Sequence, residues 1–272
     1  MLRLAWFSTG RGPGSRQLLA AVQGEIASGR LNAEIAVVYC NRERGEDANT
    51  DLFLDQVTNY GLPLECLSSR RFRKDRDGQP ARKDEPLPEW RREYDREVMK
   101  RLDRYEFDLG MLAGYMLIFC DDVAEKHNLL NLHPAAPGGP KGIWQDIIWE
   151  LIQRRADRAG VMVHLATSAL DEGPPVTFCT YPLRGPGFDA LWREVEAQDL
   201  DKLRKEQGEQ NGLFAEIRRQ GVAREAPLLI ETLRSFVAGQ ITIKNKTVVD
   251  AAGRPIGPQN LTGEIERVIA AA

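Results

Sequence analysis

Three histidines occur in 272 residues, and one of them stands in a polar patch inside an apolar run, Asn131-Leu-His133-Pro134. An asparagine and a histidine two apart on a strand share a face. The amide can donate a hydrogen bond while the imidazole donates or accepts a proton near neutral pH. Such a pair suits a reaction in which charge grows on an oxygen and a proton must move. The loop that follows, Ala135-Ala-Pro-Gly-Gly-Pro-Lys-Gly142, is tight enough to wall a pocket. Taken alone, a histidine at a strand end is more often structural; with Asn131 beside it and this loop behind it, a functional role is as ready a reading. A second patch, Gly10-Arg-Gly-Pro-Gly-Ser15, follows the first apolar run and precedes a helical periodicity. Glycines let the backbone turn tightly and approach a ligand, and the N–H groups at a helix start attract phosphate. The spacing matches neither a dinucleotide fingerprint nor a Walker lysine. It reads as a monophosphate site or an ordinary turn. Asp171, in the turn Asp171-Glu-Gly-Pro-Pro175, is by itself turn chemistry.

The elements around these patches place them. Leu2–Phe7 reads as a strand, Gln17–Gln23 as a helix and Ala33–Tyr39 as a strand, a βαβ opening that implies a parallel sheet. Leu52–Tyr60 and Trp90–Tyr105 read as helices, and Pro63–Leu67, Asp108–Ala113 and Leu129–Leu132 as short buried strands. Open sheets of this kind bind ligands at the carboxyl ends of their strands, where Gly10–Ser15 and Asn131–His133 both fall. Ile143–Arg155 reads as a helix. Val161–Ala166 and Val176–Tyr181 read as an antiparallel hairpin at the sheet edge. Residues 187–238 read as mostly helical and Gln240–Asp250 as a hairpin or strand. Between Arg70 and Pro88, seven cations (Arg70, Arg71, Arg73, Lys74, Arg76, Arg82 and Lys83) read as a solvated mobile loop or as a flap that attracts an anionic ligand.

Composition narrows the classes. A net charge of −3 argues against a nucleic-acid partner, and 42% hydrophobic residues argue against disorder. No apolar run reaches a bilayer-spanning length, and the N-terminus lacks the pattern of a signal peptide. Cys40, Cys66, Cys120 and Cys179 are scattered and read as reduced thiols. The expectation is a cytoplasmic monomer or homodimer with no membrane or nucleic-acid partner.

Taken together, Gly12-Pro-Gly-Ser15, Tyr94-Asp-Arg-Glu97, Leu112-Ala-Gly-Tyr-Met116, Asn131-Leu-His-Pro134 and Leu170-Asp-Glu-Gly-Pro174 resemble the folate-dependent formyltransferase family. The resemblance implies an α/β fold, a Rossmann-like open, mostly parallel sheet with an antiparallel edge. It implies a catalytic domain over 1–182 and a mostly helical extension over 183–272 packed on it. The implied reaction moves a formyl group from 10-formyltetrahydrofolate, as cosubstrate, to the amine of a phosphorylated acceptor, glycinamide ribonucleotide foremost, without a metal. On this reading Asn131, His133 and Asp171 are catalytic. Gly12, Gly14 and Ser15 hold the substrate phosphate with Arg91, and Glu225 stands where the family's ribose-binding glutamate would be. Backbone of Met116, Leu117 and Ile118 lines the pterin pocket, and His164 stands behind the catalytic residues. The chain departs from the family pattern at several places. Arg16 replaces the usual Asn after Gly-Ser, and two extra residues lengthen that turn. Leu117 replaces an Arg, and Met162 a small hydroxyl residue. The loop after His133 is richer in glycine, and the C-terminal motif is reduced to Glu225-Ala-Pro227. Two other readings stand beside this one: the same folate chemistry on an amino sugar nucleotide or on water, and a non-catalytic binding protein on the same fold. Retention of Asn131, His133 and Asp171 together argues against the last.

Overall fold

Apolar runs become strands and the amphipathic stretches between them helices in the computed structural model, which describes residues 1–80 and 85–271. The chain opens with β1 (Leu2–Ser8), α1 (Pro13–Ala27), β2 (Ala33–Cys40), α2 (Ala48–Asn59) and β3 (Leu64–Cys66). It continues with α3 (Ser69–Lys74), α4 (Glu89–Leu102), β4 (Leu109–Leu112), α5 (Asp121–Lys126) and β5 (Leu129–His133). Next come α6 (Trp144–Gln153), β6 (Arg158–Leu165), β7 (Pro175–Pro182), α7 (Asp189–Glu196) and α8 (Leu200–Glu206). The chain ends with α9 (Gly212–Val237), β8 (Ile241–Lys244), β9 (Thr247–Asp250), β10 (Gln259–Asn260) and α10 (Thr262–Ala270). Eight strands order as β10-β7-β6-β5-β4-β1-β2-β3. The pairs β1–β2, β1–β4, β2–β3, β4–β5 and β7–β10 are parallel, and β6–β7 is antiparallel. This is the mostly parallel sheet with an antiparallel edge that the sequence implies. The β6–β7 hairpin is not the outermost pair, because β10 adds to β7. No helix among the described residues is long and apolar enough to cross a membrane.

Contacts divide the chain into two compact units. One comprises Met1–Leu132, Leu165–Pro174 and Leu233–Ile256, the other His133–His164, Pro175–Thr232 and Gly257–Ala272. In the first, Leu4, Ala5, Trp6 and Phe7 of β1 are buried without alternation, as a central parallel strand requires. Helix α4 lays Tyr94, Val98 and Leu102 at i, i+4 and i+8 into a core with Phe7, Tyr39, Tyr115 and Phe119. Phe7 meets Phe119 edge-on at 5.4 Å. The expected hairpin over Gln240–Asp250 is β8–β9, turned by Asn245 and Lys246, both at positive φ as a two-residue hairpin turn demands. In the second unit, Ile147, Leu151 and Ile152 of α6 pack with Trp192, Phe214 and Ile217. Arg224 of α9 holds Glu266 of α10 through Nη2 at 2.6 Å, and Tyr181 Oη of β7 donates to the Ile217 carbonyl at 3.1 Å.

The basic stretch after β3 departs from expectation. Ser69–Lys74 is helix α3 rather than a mobile loop, capped by Ser68 Oγ, which accepts from Arg71 N at 3.0 Å. Phe72 is buried edge-on against Tyr94 at 5.2 Å, and Arg76 stacks 3.5 Å over the Phe72 ring. Arg82 and Lys83 lie outside the described residues. Helix α5 has no counterpart in the sequence reading. The cysteines are unbonded, and burial pushes the Cys40 and Cys179 thiols up to about 11 and that of Cys66 up to about 12.

Candidate active site

The turn from β1 to α1 is short, and only one of its glycines is demanded by the fold. Gly10 has φ +63°, and a Cβ there would stand 3.0 Å from the Phe53 side chain. Gly12 is the extended N-cap of α1 and Gly14 lies in its first turn. A Cβ on either would meet nothing within 4 Å. These two glycines therefore leave open space beside a helix start whose N-cap makes no side-chain hydrogen bond. Ser15 is buried next to Gly114, where an added Cβ would come 2.9 Å from Ser15 Oγ. The turn is laced to the segment after β4. Ser8 Oγ donates to the Ala113 carbonyl at 2.8 Å, Thr9 N to the Gly114 carbonyl at 3.0 Å, and Met116 N to Thr9 Oγ1 at 3.0 Å. Thr50 Oγ1 of α2 donates to the Thr9 carbonyl at 3.2 Å, and the buried Arg42 approaches both Thr50 and Asp47. Sequence reading gave no role to Ser8, Thr9, Thr50 or Arg42. The hydroxyls of Ser8-Thr9 at a strand end were the available signal. Arg16 reaches Asn49, its Nη1 3.3 Å from that carbonyl.

Arg91 is turned toward the post-β4 segment. It is 1% exposed, donates from Nη2 to the Ile118 carbonyl at 2.7 Å, and stands 3.0 Å from Asp95 Oδ1. Asp95 Oδ2 accepts from Cys120 N at 2.8 Å. Burial pushes the Asp95 carboxyl above its ordinary pKa, with Arg91 opposing the shift. Enclosed in this way, the Arg91 guanidinium is engaged with the Ile118 backbone carbonyl and with Asp95. Met116 itself is exposed, and Leu117 and Ile118 are half-buried.

At the end of β5, Asn131 Nδ2 donates to Asp171 Oδ1 at 3.3 Å. Asp171 sits at φ +53°, a left-handed position that aspartate tolerates better than most residues. Its turn is closed by Leu165 N donating to the Pro174 carbonyl at 2.9 Å and is tied to β5 by Ala166 N donating to the Leu129 carbonyl at 2.8 Å. The pairing of Asn131 with Asp171 joins residues of two separate motifs. In the other unit, His133 is buried with Nε2 3.0 Å from the Pro140 carbonyl. A carbonyl only accepts, so Nε2 carries a proton and donates it to this contact. The loop returns to make this contact through Gly138 and Gly142, both at positive φ. His164 is buried with its ring edge-on to His133 at 6.0 Å. Asn131 and His133, two apart on one strand, share its face. Glu225 lies in α9, where its carboxylate takes Arg218 Nη1 at 2.7 Å.

Comparison with known proteins follows this geometry. The family described as "Formyl transferase" matches residues 2–182. The phosphoribosylglycinamide formyltransferase of Schizosaccharomyces pombe is 26% identical over 194 residues, covering 68% of this chain and 87% of that protein. The formyltetrahydrofolate deformylase of Bacillus subtilis is 25% identical over 152 residues, 55% of this chain and 42% of that protein. Among solved structures, the phosphoribosylglycinamide formyltransferase of Coxiella burnetii superposes with a TM-score of 0.66 at 19% identity, covering 95% of this chain and 99% of that one. At that identity the superposition speaks for the fold alone.

Proposed function

The chain belongs to the formyl transferase family, and on that premise we propose that it carries a formyl group from 10-formyltetrahydrofolate to the amine of glycinamide ribonucleotide. The observation that carries this reading is the hydrogen bond from Asn131 to Asp171 at the end of the strand that also bears His133. In the reaction the acceptor amine attacks the formyl carbon, and the carbonyl electron pair moves onto oxygen. Asn131 donates to that oxyanion; its amide carries two N–H bonds, and the one given to Asp171 fixes the direction of the other. His133, with Nε2–H held by Pro140, donates through Nδ1–H in its charged form. We assign to Asp171 the support of that charge and the relay of the amine proton, through water, to the folate nitrogen. The oxyanion then re-forms the carbonyl as the carbon–nitrogen bond to the folate breaks, its electron pair staying with the protonated nitrogen, and the N-formylated ribonucleotide and tetrahydrofolate leave.

A phosphorylated acceptor is favoured by the open space beside Gly12 and Gly14 at the start of α1, where Ser15 also lies. We take residues 1–182 as the catalytic domain and 183–272 as its extension. The deformylase relative keeps a second reading in play, with water as acceptor, and an amino sugar nucleotide is a third candidate. The test is to supply the purified protein with 10-formyltetrahydrofolate and, in separate reactions, glycinamide ribonucleotide, an amino sugar nucleotide, or no amine. Formylated ribonucleotide with tetrahydrofolate in equal amount is the expected product. Formate released without any amine would establish the hydrolase, and no consumption of the donor would overturn both.

A further inference from the structure

Arg91 and Asp95 stand one turn apart on α4, both nearly inaccessible to solvent, and both reach the stretch after β4. Arg91 Nη2 takes the carbonyl of Ile118, and Asp95 Oδ2 takes the N–H of Cys120, the residue that opens α5. One acceptor and one donor, two residues apart on one backbone, are gripped by a cation and an anion that are themselves 3.0 Å apart. The pair thus does for residues 118–120 what a neighbouring strand does for a strand. Farther back, Met116 N is held by Thr9 Oγ1. The segment is pinned at three points, by side chains of the β1–α1 turn and of α4. Stability is a poor explanation for such a device. Removing two charges from water is costly, and an apolar replacement of similar volume is often as stable or more so. What an apolar pair cannot do is fix a backbone carbonyl and a backbone N–H at defined positions.

We propose that Arg91 and Asp95 are positioning residues for the formyl donor: they set the 116–120 backbone, and through it affinity for the folate, without touching the acceptor. The proposal rests on the reading that Met116–Ile118 lines the folate pocket. It transfers Arg91 from the acceptor side of the site to the donor side and gives Asp95 a role that the sequence did not assign.

The test uses the full-length protein and the variants Arg91→Lys and Asp95→Asn, with donor and acceptor titrated independently and tetrahydrofolate binding measured by calorimetry. Lysine retains a charge near Asp95 but not the planar guanidinium whose Nη2 both faces Asp95 and donates to the Ile118 carbonyl. The expected result is a donor KM and a tetrahydrofolate Kd raised on the order of tenfold, the scale of one lost charge-assisted hydrogen bond. Acceptor KM and kcat at saturating donor should stay within about twofold of the parent, since weakened ground-state binding need not alter the chemical step. A rise in acceptor KM alone, an equal rise in both, or no change overturns the proposal. Asp95→Asn leaves Arg91 buried without its counter-charge and can fail to fold; Arg91→Lys, with its melting curve, then decides alone. A third variant, Leu117→Asp, separates the proposal from its premise. If Leu117→Asp leaves tetrahydrofolate binding untouched, the pocket assignment fails. If it weakens binding while Arg91→Lys and Asp95→Asn do not, the assignment stands and the positioning role falls.

Discussion

The His133 imidazole gives its Nε2–H to the Pro140 carbonyl, and this gives substitutions at the end of β5 definite expectations. His133→Ala removes the acid–base group and leaves the Pro140 carbonyl without its donor. It should lower kcat on the order of 10²–10⁴ and cost about 1–3 kcal/mol of stability. Asp171→Asn is the cleaner probe. An asparagine oxygen can still accept from Asn131 Nδ2, so the turn is kept while the negative charge is lost. The expected outcome is an unchanged melting temperature with single-turnover formyl transfer slowed on a similar scale, and a near-parental rate in the folded variant would remove Asp171 from the chemistry. These residues were legible because their types are rare and local: three histidines in the chain, one beside an asparagine at a strand end. The reach of Arg91 to Ile118 was not legible, because the two lie 27 residues apart. No local pattern could tell a guanidinium aimed at a phosphate from one spent on a backbone carbonyl.

At the scale of elements, the β1–α1 turn separates what the fold needs from what a ligand needs. Gly10→Ala forces an alanine into the left-handed region, at about 1–2 kcal/mol, and drives a methyl against Phe53. The melting temperature should fall. Gly14→Ala places a methyl in open space within the first turn of α1, where alanine is favoured over glycine by up to about 1 kcal/mol. Its melting temperature should hold or rise while KM for the phosphorylated acceptor increases, because the space left for the ligand is filled. Thermal melts and acceptor titrations on the two variants should therefore move in opposite senses. An equal loss of stability in both would show that the glycines share one structural task. Sequence reading located this turn because a strand, a glycine cluster and a helical period follow one another. It chose Gly12 and Gly14 over Gly10, since the need for Gly10 is set by Phe53 on another helix. The strands were legible for the same local reason, each an apolar run between breakers. Helix α3 was not: six residues with four cations hide a single buried apolar anchor, Phe72.

For the whole molecule, a net charge of −3 conceals an uneven distribution, with the cations of α3 gathered at the carboxyl edge of the strands. Ser69 N donates to the Asn41 carbonyl at 3.0 Å just past β2, which fixes that helix on the side where open sheets bind ligands. Arg71 and Arg76 are held by Glu43 and Glu93, whereas Arg70 and Lys74 are exposed. Because Phe72 is buried and Arg76 stacks on it, deleting the segment would remove packing along with charge, so charge substitution is the sharper experiment. Both the proposed ribonucleotide acceptor and the folate donor are anionic, and exposed cations raise the rate at which anions arrive without entering the chemistry. Arg70→Gln with Lys74→Gln should lower kcat/KM by about threefold at low ionic strength and leave kcat unchanged. As salt rises and the screening length falls to about 8 Å, the variant and the parent should converge. A defect of equal size at all salt concentrations would mean that these side chains contact the ligand directly, and a fall in kcat would mean that α3 takes part in the reaction itself.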